Sequence, residues 1–280
     1  MRELYEFRIL ERHAAKLLKP KEGKQLGELV RKIQLQRTDP RFSKICELNL
    51  SLSQESNDMF FAGWDIKRFY TAGELARAEL FLLHHIPTFE PAGEECGTRY
   101  DEASGCPNCT SGAKQVGPLF LDLNSIPKGK DIARTISGEV VVSKQFRDAF
   151  EAHGLIGAKF APVRYRRSSS ATSEDWLQLV PKEAFVEITS RTEFGINPCD
   201  GDLAGEYRCP LGDLIGLARL SEVWLSGRTY HGQDFVASRQ FVGLRRGFLR
   251  PERLLFISHK CFDILKKHKL HGLNFEIAYF

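Results

Sequence analysis

Alternating and helix-spaced apolar positions succeed one another along this chain. Leu4-Tyr5-Glu6-Phe7-Arg8-Ile9 alternates and predicts a strand, whereas Leu29, Val30, Ile33 and Leu35 predict a helix over 27–36, stopped by Thr38-Asp39-Pro40. From Ile45 the chain alternates again, and Cys46, Leu48, Leu50 and Leu52 share one face, which assigns Cys46 to the core. A polar turn over 54–58 follows, then a short helix over 71–77 with Thr71 as N-cap, then an apolar strand over 78–89. That strand carries His84-His85, of which alternation lets only one reach a metal; a packed or exposed histidine is the simpler reading.

Sliding the chain against itself by 115 positions superimposes Val141-Val142-Ser143 on Phe256-Ile257-Ser258, Asp148 on Asp263, His153 on His268, Gly157 on Gly272 and Phe160 on Phe275. Each copy predicts strand, helix, strand. Ser143 and Ser258 are placed to cap the helices, and Phe146, Phe150, Phe262 and Leu265 supply their apolar stripes. The alignment puts Cys261 on the core-facing position of Phe146 and makes His153 and His268 structural residues. The expected fold is α+β, with mixed sheets, short helices and an internal repeat. Its expected organisation is an N-terminal region 1–89, a segment 90–163 with the first repeat, and a segment 164–280 with the second, 90–280 forming one domain.

The chain has 280 residues, 42% of them hydrophobic, enough for one large core or two modest ones. No apolar run approaches the roughly 18 residues that would span a membrane. The N-terminus Met1-Arg2-Glu3-Leu4-Tyr5-Glu6 leads into no apolar signal region, so a cytoplasmic protein with reduced thiols is expected. The net charge of +4 is unevenly spread: residues 1–50 carry twelve Lys/Arg against seven Asp/Glu, 245–280 eight against three, and 174–206 two against eight. The acidic stretch, with Glu187, Glu193, Asp200, Asp202 and Glu206, suggests a contact face for a basic partner, against the simpler alternative of a solvated surface.

Of the seven cysteines, Cys96, Cys106, Cys109, Cys199 and Cys209 remain for chemistry. Cys106-Pro107-Asn108-Cys109 is a tight turn of the kind that delivers two thiolates to one tetrahedral ion. Cys96, in a Gly-flanked loop, is the expected third ligand. Cys209-Pro210-Leu211-Gly212 echoes the first turn and is preferred as the fourth over Cys199, which sits beside Asp200 and Asp202. Four thiolates leave no open position, so the expected site, Cys96, Cys106, Cys109 and Cys209 around Zn²⁺, is structural.

Searches for nucleotide-binding glycine motifs, phosphate loops, metalloprotease helices and nucleophile elbows find nothing. An acid/base pair at His231 and Asp234 is conceivable, although Tyr230 to Phe235 more simply forms a Gly turn between strands. Arg164, Arg166, Arg167, Arg245, Arg246, Arg250 and Arg253 would serve a nucleic-acid module, but without interleaved aromatics.

The cysteine clusters, the duplicated unit from Ser143 to Phe160 and from Ser258 to Phe275, and the turn Gly232-Gln233-Asp234-Phe235 together resemble the double-CxxCG-motif proteins of bacteria. The resemblance covers roughly residues 90 to 280. Only Cys106 and Cys109 keep a CxxC; Thr110 stands where that motif has Gly, and the second cluster is Cys199 and Cys209. Those proteins are associated with immunity against polymorphic or contact-delivered toxins. The resemblance therefore implies a non-enzymatic, cysteine-clamped scaffold that binds a protein partner.

Overall fold

The computed structural model describes residues 1–166, 171–182 and 184–280; Arg167 and the serine run 168–170 of the basic loop lie outside the described residues. The fold is α+β, and the chain divides into two units, Met1–Arg77 with Asn197–Asp200, and Ala78–Ile196 with Gly201–Phe280. No helix among the described residues is long and apolar enough to cross a membrane.

The first unit runs β1 (Arg2–Leu10), α1 (Glu11–Ala14), β2 (Lys24–Leu26), β3 (Val30–Leu35), α2 (Pro40–Ser56), β4 (Phe61–Phe69) and α3 (Ala72–Arg77). Its sheet has the order β2-β3-β1-β4, and Phe42 of α2 packs its ring on Tyr5 and Phe7 at 4.9 and 5.7 Å. Thr71 caps α3 as expected, accepting from Glu74 N at 3.2 Å.

Two sequence expectations reverse here. The segment read as a helix contains strand β3, in which Ile33 and Leu35 are buried and Gln34 between them is exposed. The segment read as a strand lies in helix α2, whose buried residues Phe42, Ile45 and Leu52 follow helical spacing, leaving Leu50 exposed. Asp39-Pro40 starts this helix, because the Asp39 side chain accepts from Arg41 N and Pro40 occupies the first turn, where its missing N–H is not needed. Cys46 is no core thiol. It forms a disulfide with Cys199, with the Cα atoms 5.1 Å apart, which also corrects the expectation that every thiol is reduced.

The second unit contains β5 (Leu80–His84), β6 (Thr88–Phe89), α4 (Gly93–Cys96), β7 (Arg99–Asp101), β8 (Lys114–Val116), β9 (Leu119–Leu121), β10 (Ile132–Thr135), β11 (Val140–Ser143), α5 (Lys144–Ala152), β12 (Ala158–Tyr165), β13 (Thr172–Pro181) and β14 (Phe185–Val186). After β15 (Phe194–Asn197) and β16 (Asp200–Gly201) come β17 (Leu214–Ile215), β18 (Ala218–Arg219), β19 (Val223–Trp224), β20 (Phe235–Gly243), β21 (Glu252–Ser258), α6 (His259–Lys267) and β22 (Asn274–Tyr279). The strand expected over 78–89 is broken into β5 and β6, with His85 at a positive φ between them.

Two sheets dominate this unit, ordered β6-β10-β11-β13-β12-β9 and β14-β20-β21-β5-β22-β19. They are the same sheet twice. Ile132 faces Val142 as Phe235 faces Ile257, and Val142 faces Leu177 as Ile257 faces Phe81. At the far edge Val163 runs parallel beside Leu119 as Ala278 does beside Val223. In chain order, however, β5 precedes the first copy and β13 precedes the second. Each copy therefore lends its leading strand to the centre of the other's sheet.

Paired hydrogen bonds cement the exchange. Asp131 accepts from Ser143 Oγ (2.7 Å) and from His271 N (2.8 Å), and Asp234 accepts from Ser258 Oγ (2.7 Å) and from Ile156 N (3.0 Å). Ser143 and Ser258 each also cap their helix, accepting from Phe146 N and Cys261 N at 3.1 Å. Gly154 and Lys269, equivalent residues, both end their helices with positive φ. Cys261 is fully buried, as its alignment with Phe146 required, and the His153 and His268 rings meet edge to face at 5.2 Å.

Candidate metal centre

Two tight turns build the centre, both in the second unit. The first lies in the loop joining β7 and β8, which pair antiparallel with Asp101 opposite Lys114. Within it Thr110 N donates to Cys106 O (2.8 Å), Cys106 N donates to Ser111 O (2.7 Å), and Thr110 takes a φ of +58°. Glycine takes this left-handed conformation without strain; threonine holds it at some cost. In the second turn Gly212 N donates to Cys209 O (2.8 Å), Cys209 N donates to Asp213 O (3.0 Å), and Gly212 has a φ of +93°. It is the same turn, one residue shorter. Asp213 stands where the first turn has Ser111.

The ligand atoms of Cys106, Cys109, Cys209 and Asp213 all lie within 4.8 Å of one another, a group that could hold a metal ion. Cys106 Sγ is 3.7 Å from Cys209 Sγ, and Cys109 Sγ is 3.3 Å from Asp213 Oδ2. Ser111 Oγ donates to Asp213 Oδ2 at 2.7 Å and Phe241 N donates to Asp213 Oδ1 at 2.9 Å, which fixes the carboxylate. The backbone N–H groups of Cys109 and Asn108 point at Cys106 and lower its pKa, favouring the thiolate. Cys109 is pushed up to about 12, first by burial, with Cys106 and Asp213 adding to the rise. Without a cation the Cys109 thiol keeps its proton and donates to Asp213, whereas a cation among the four groups would favour all three cysteines as thiolates.

The structure brings together Cys106, Cys109 and Cys209 of the expected ligands and does not bring Cys96. That cysteine ends α4, is 1% exposed, and has its pKa raised by burial. Its helix packs on β9, and Gly97, in the left-handed region, turns the chain away after it. Cys199 is taken by the disulfide. Asp213 is the residue that a search confined to cysteines passes over; its signal was the acidic residue directly after the half turn Cys209-Pro210-Leu211-Gly212.

The other candidate residues serve other ends. His84 approaches Glu276 at 3.4 Å. His231 is exposed, while Asp234 is buried and spends both oxygens on Ser258 and Ile156, so no acid/base pair is assembled. Arg245 and Arg250 bind Glu102, Arg250 also binds Glu94, and Arg253 donates to the carbonyls of Ser238 and Arg239. Asp202 belongs to no surface: it is 3% exposed and holds Arg208 at 2.7 Å and Tyr207 N at 3.1 Å. No family model matches the chain, and no curated protein matches it.

Proposed function

We propose that this chain is a non-enzymatic, zinc-stabilised binding protein that engages a protein partner through the loop its metal centre holds. A tetrahedral zinc bound at about 2.3 Å to sulfur and about 2.0 Å to oxygen sets S···S and S···O edges of roughly 3.8 and 3.5 Å. The 3.7 and 3.3 Å separations here suit those edges. The thiolate-rich set also favours a soft, borderline ion over magnesium or calcium. With four protein ligands the ion has no free position for a substrate, which leaves it a structural part.

One observation carries the binding role. Between Asp202 and Asp213, Leu203 is 88% exposed, Leu211 66% and Tyr207 45%, a density of large apolar side chains that solvent does not favour. The loop is anchored at one end by the Asp202–Arg208 pair and at the other by Cys209 and Asp213. Such a loop presents its anchors already ordered, which lowers the entropic cost of docking. Glu193 and Glu206 give the same region an acidic rim for a basic partner. An immunity-like role, neutralising a protein toxin, is what the resemblance to double-CxxCG-motif proteins adds to this reading. The ion pairs made by Arg245 and Arg250 weigh against the nucleic-acid alternative.

The test pairs metal analysis with capture of partners from the native source. One zinc per chain is expected, together with a captured protein that is lost when Leu203→Asp and Leu211→Asp are combined. A chain that purifies without metal and keeps its fold, or a partner indifferent to both substitutions, would remove the respective half of the proposal.

A further inference from the structure

A cavity of about 270 Å³ lies in the second unit, and its lining includes Ser111 and Phe241, the residues that hold the Asp213 carboxylate. Its apolar wall comes from equivalent positions of the two copies, Leu83 with Leu179 and Val140 with Leu255, so it sits where the exchanged sheets face each other. Its polar lining is rich in arginine. Arg134, Arg245, Arg250 and Arg253 stand against Glu139 and Glu252 in the lining, with Glu94 and Glu102 behind it pairing with Arg250 and Arg245, so the site is distinguished by unmet hydrogen-bond donors and not by net charge.

The two glutamates are already engaged. Glu252 pairs with Arg134, and Glu139 accepts from Tyr100 OH and Thr135 Oγ1. The arginines are not all satisfied. Arg250 is 10% exposed; its Nη2 donates to Glu94 (2.9 Å) and Glu102 (2.6 Å), and its guanidinium lies 4.3 Å from the Tyr100 ring centre. Its Nε and Nη1 are buried without any acceptor among the described residues. Buried donors of a charged group are rarely left unpaired, because they have lost water and gained nothing in return. Arg253, held between the Phe185 and Phe241 rings at 3.9 and 4.1 Å, forms no ion pair among the described residues.

We propose that this cavity binds a small organic anion, an apolar body carrying one carboxylate or phosphate group that Arg250 receives. Either oxyanion can accept a single charge-assisted hydrogen bond from a donor that Glu94 and Glu102 leave over, and the leucine and valine wall takes the body. A volume of about 270 Å³ equals roughly nine water molecules, which suits a ligand the size of a substituted benzene. Neither the zinc centre nor the exposed loop is needed for this assignment.

Calorimetric titration of the full chain with benzoate, phenyl phosphate and benzyl alcohol tests it, the two anions separating carboxylate from phosphate preference. One anion should bind with unit stoichiometry, and benzyl alcohol at least about tenfold more weakly. Arg250→Gln should weaken the bound anion about 10- to 100-fold, the loss expected for one charge-assisted hydrogen bond. Because Arg250→Gln also frees Glu94 and Glu102, Ala113→Leu serves as a second variant that fills the cavity and leaves the arginine in place. It should abolish binding with an unchanged thermal melt. Binding of neither anion at millimolar concentration, equal binding of benzyl alcohol, or undiminished affinity in the folded variants would overturn the proposal.

Discussion

Gly157→Ala tests whether the two copies interlock as described, and its cost can be worked from geometry. A Cβ at Gly157 would lie 1.9 Å from Phe235 O, 2.9 Å from Phe235 C and 3.1 Å from Phe235 N. Since Cβ contacts under 3.0 Å are essentially never found, backbone must part by at least 3.0 − 1.9 = 1.1 Å. That movement takes the Phe235 N to Ile156 O bond and the Ile156 N to Asp234 Oδ2 bond, both 3.0 Å, out of range. Losing one neutral and one charge-assisted hydrogen bond costs about 3 kcal/mol, and alanine at a φ of +108° adds about 1 kcal/mol or more. The expected total is about 4 kcal/mol.

Two sister substitutions make this a ranking. Gly272 occupies the equivalent position, but its Cβ would lie 2.9 Å from Ile132 O, so a small shift relieves the contact and mainly backbone strain remains, about 2 kcal/mol. Gly154 has a φ of +62° and open space around it, and alanine there costs about 1 kcal/mol. Urea unfolding of the three variants, compared at a common slope, should give that order. If Gly157→Ala unfolds within 1 kcal/mol of Gly154→Ala, the close approach of the two copies is wrong.

Three further outcomes are expected. Asp213→Asn keeps the shape and the bond from Phe241 N but removes a charged ligand, so metal affinity should fall more than tenfold by competition with a chelator, while Cys96→Ala leaves it unchanged. Burial works against the Glu6 charge, but hydrogen bonds from Lys67, Gln34 and Lys32 outweigh it and bring the pKa from 4.5 to about 2. The resulting stability, at most about 3 kcal/mol, is present above pH 4.5 and lost as pH falls towards 2; Glu6→Gln should flatten that acid limb in pH-dependent unfolding. Replacing both Cys46 and Cys199 by Ser opens a closure spanning 153 residues, for which loop entropy gives about 5 kcal/mol and typical measured values 2–4 kcal/mol. An unchanged melting temperature, before and after treatment with a phosphine reductant, would show that this bond does not form.

Local signals in the sequence are legible where one period dominates and ambiguous where two compete. The capping serines, the apolar stripes of α5 and α6 and the buried Cys261 followed from a single repeated pattern. The segment that forms α2 offers Leu48, Leu50 and Leu52 at a spacing of two and Ile45 and Leu52 at a spacing of seven, and Asp39-Pro40 decides the matter by starting a helix rather than ending one. No local pattern reveals a disulfide between residues 153 apart, since that pairing depends on where the chain returns.

The duplication itself was half legible, for a reason the strand pairings make plain. Val142 and Ile257 are 115 apart, Ile132 and Phe235 are 103 apart, and Phe81 and Leu177 are 96 apart, because unequal loops separate the equivalent strands. A single offset of 115 therefore finds only the closing strand, helix and strand, and misses the exchanged strands and the turns before them. Cys106 and Cys209 differ by 103, the same offset as β10 and β20. The two turns are thus one element of the repeat in two copies, and the candidate metal centre lies where they meet. The shorter second turn lacks a second cysteine, and Asp213, at the position of Ser111, completes the group from the backbone register that a cysteine pattern cannot display. A site made by two copies of a turn needs both sheets in place to bring Cys106 to Cys209, so metal binding and the strand exchange should be lost together on unfolding.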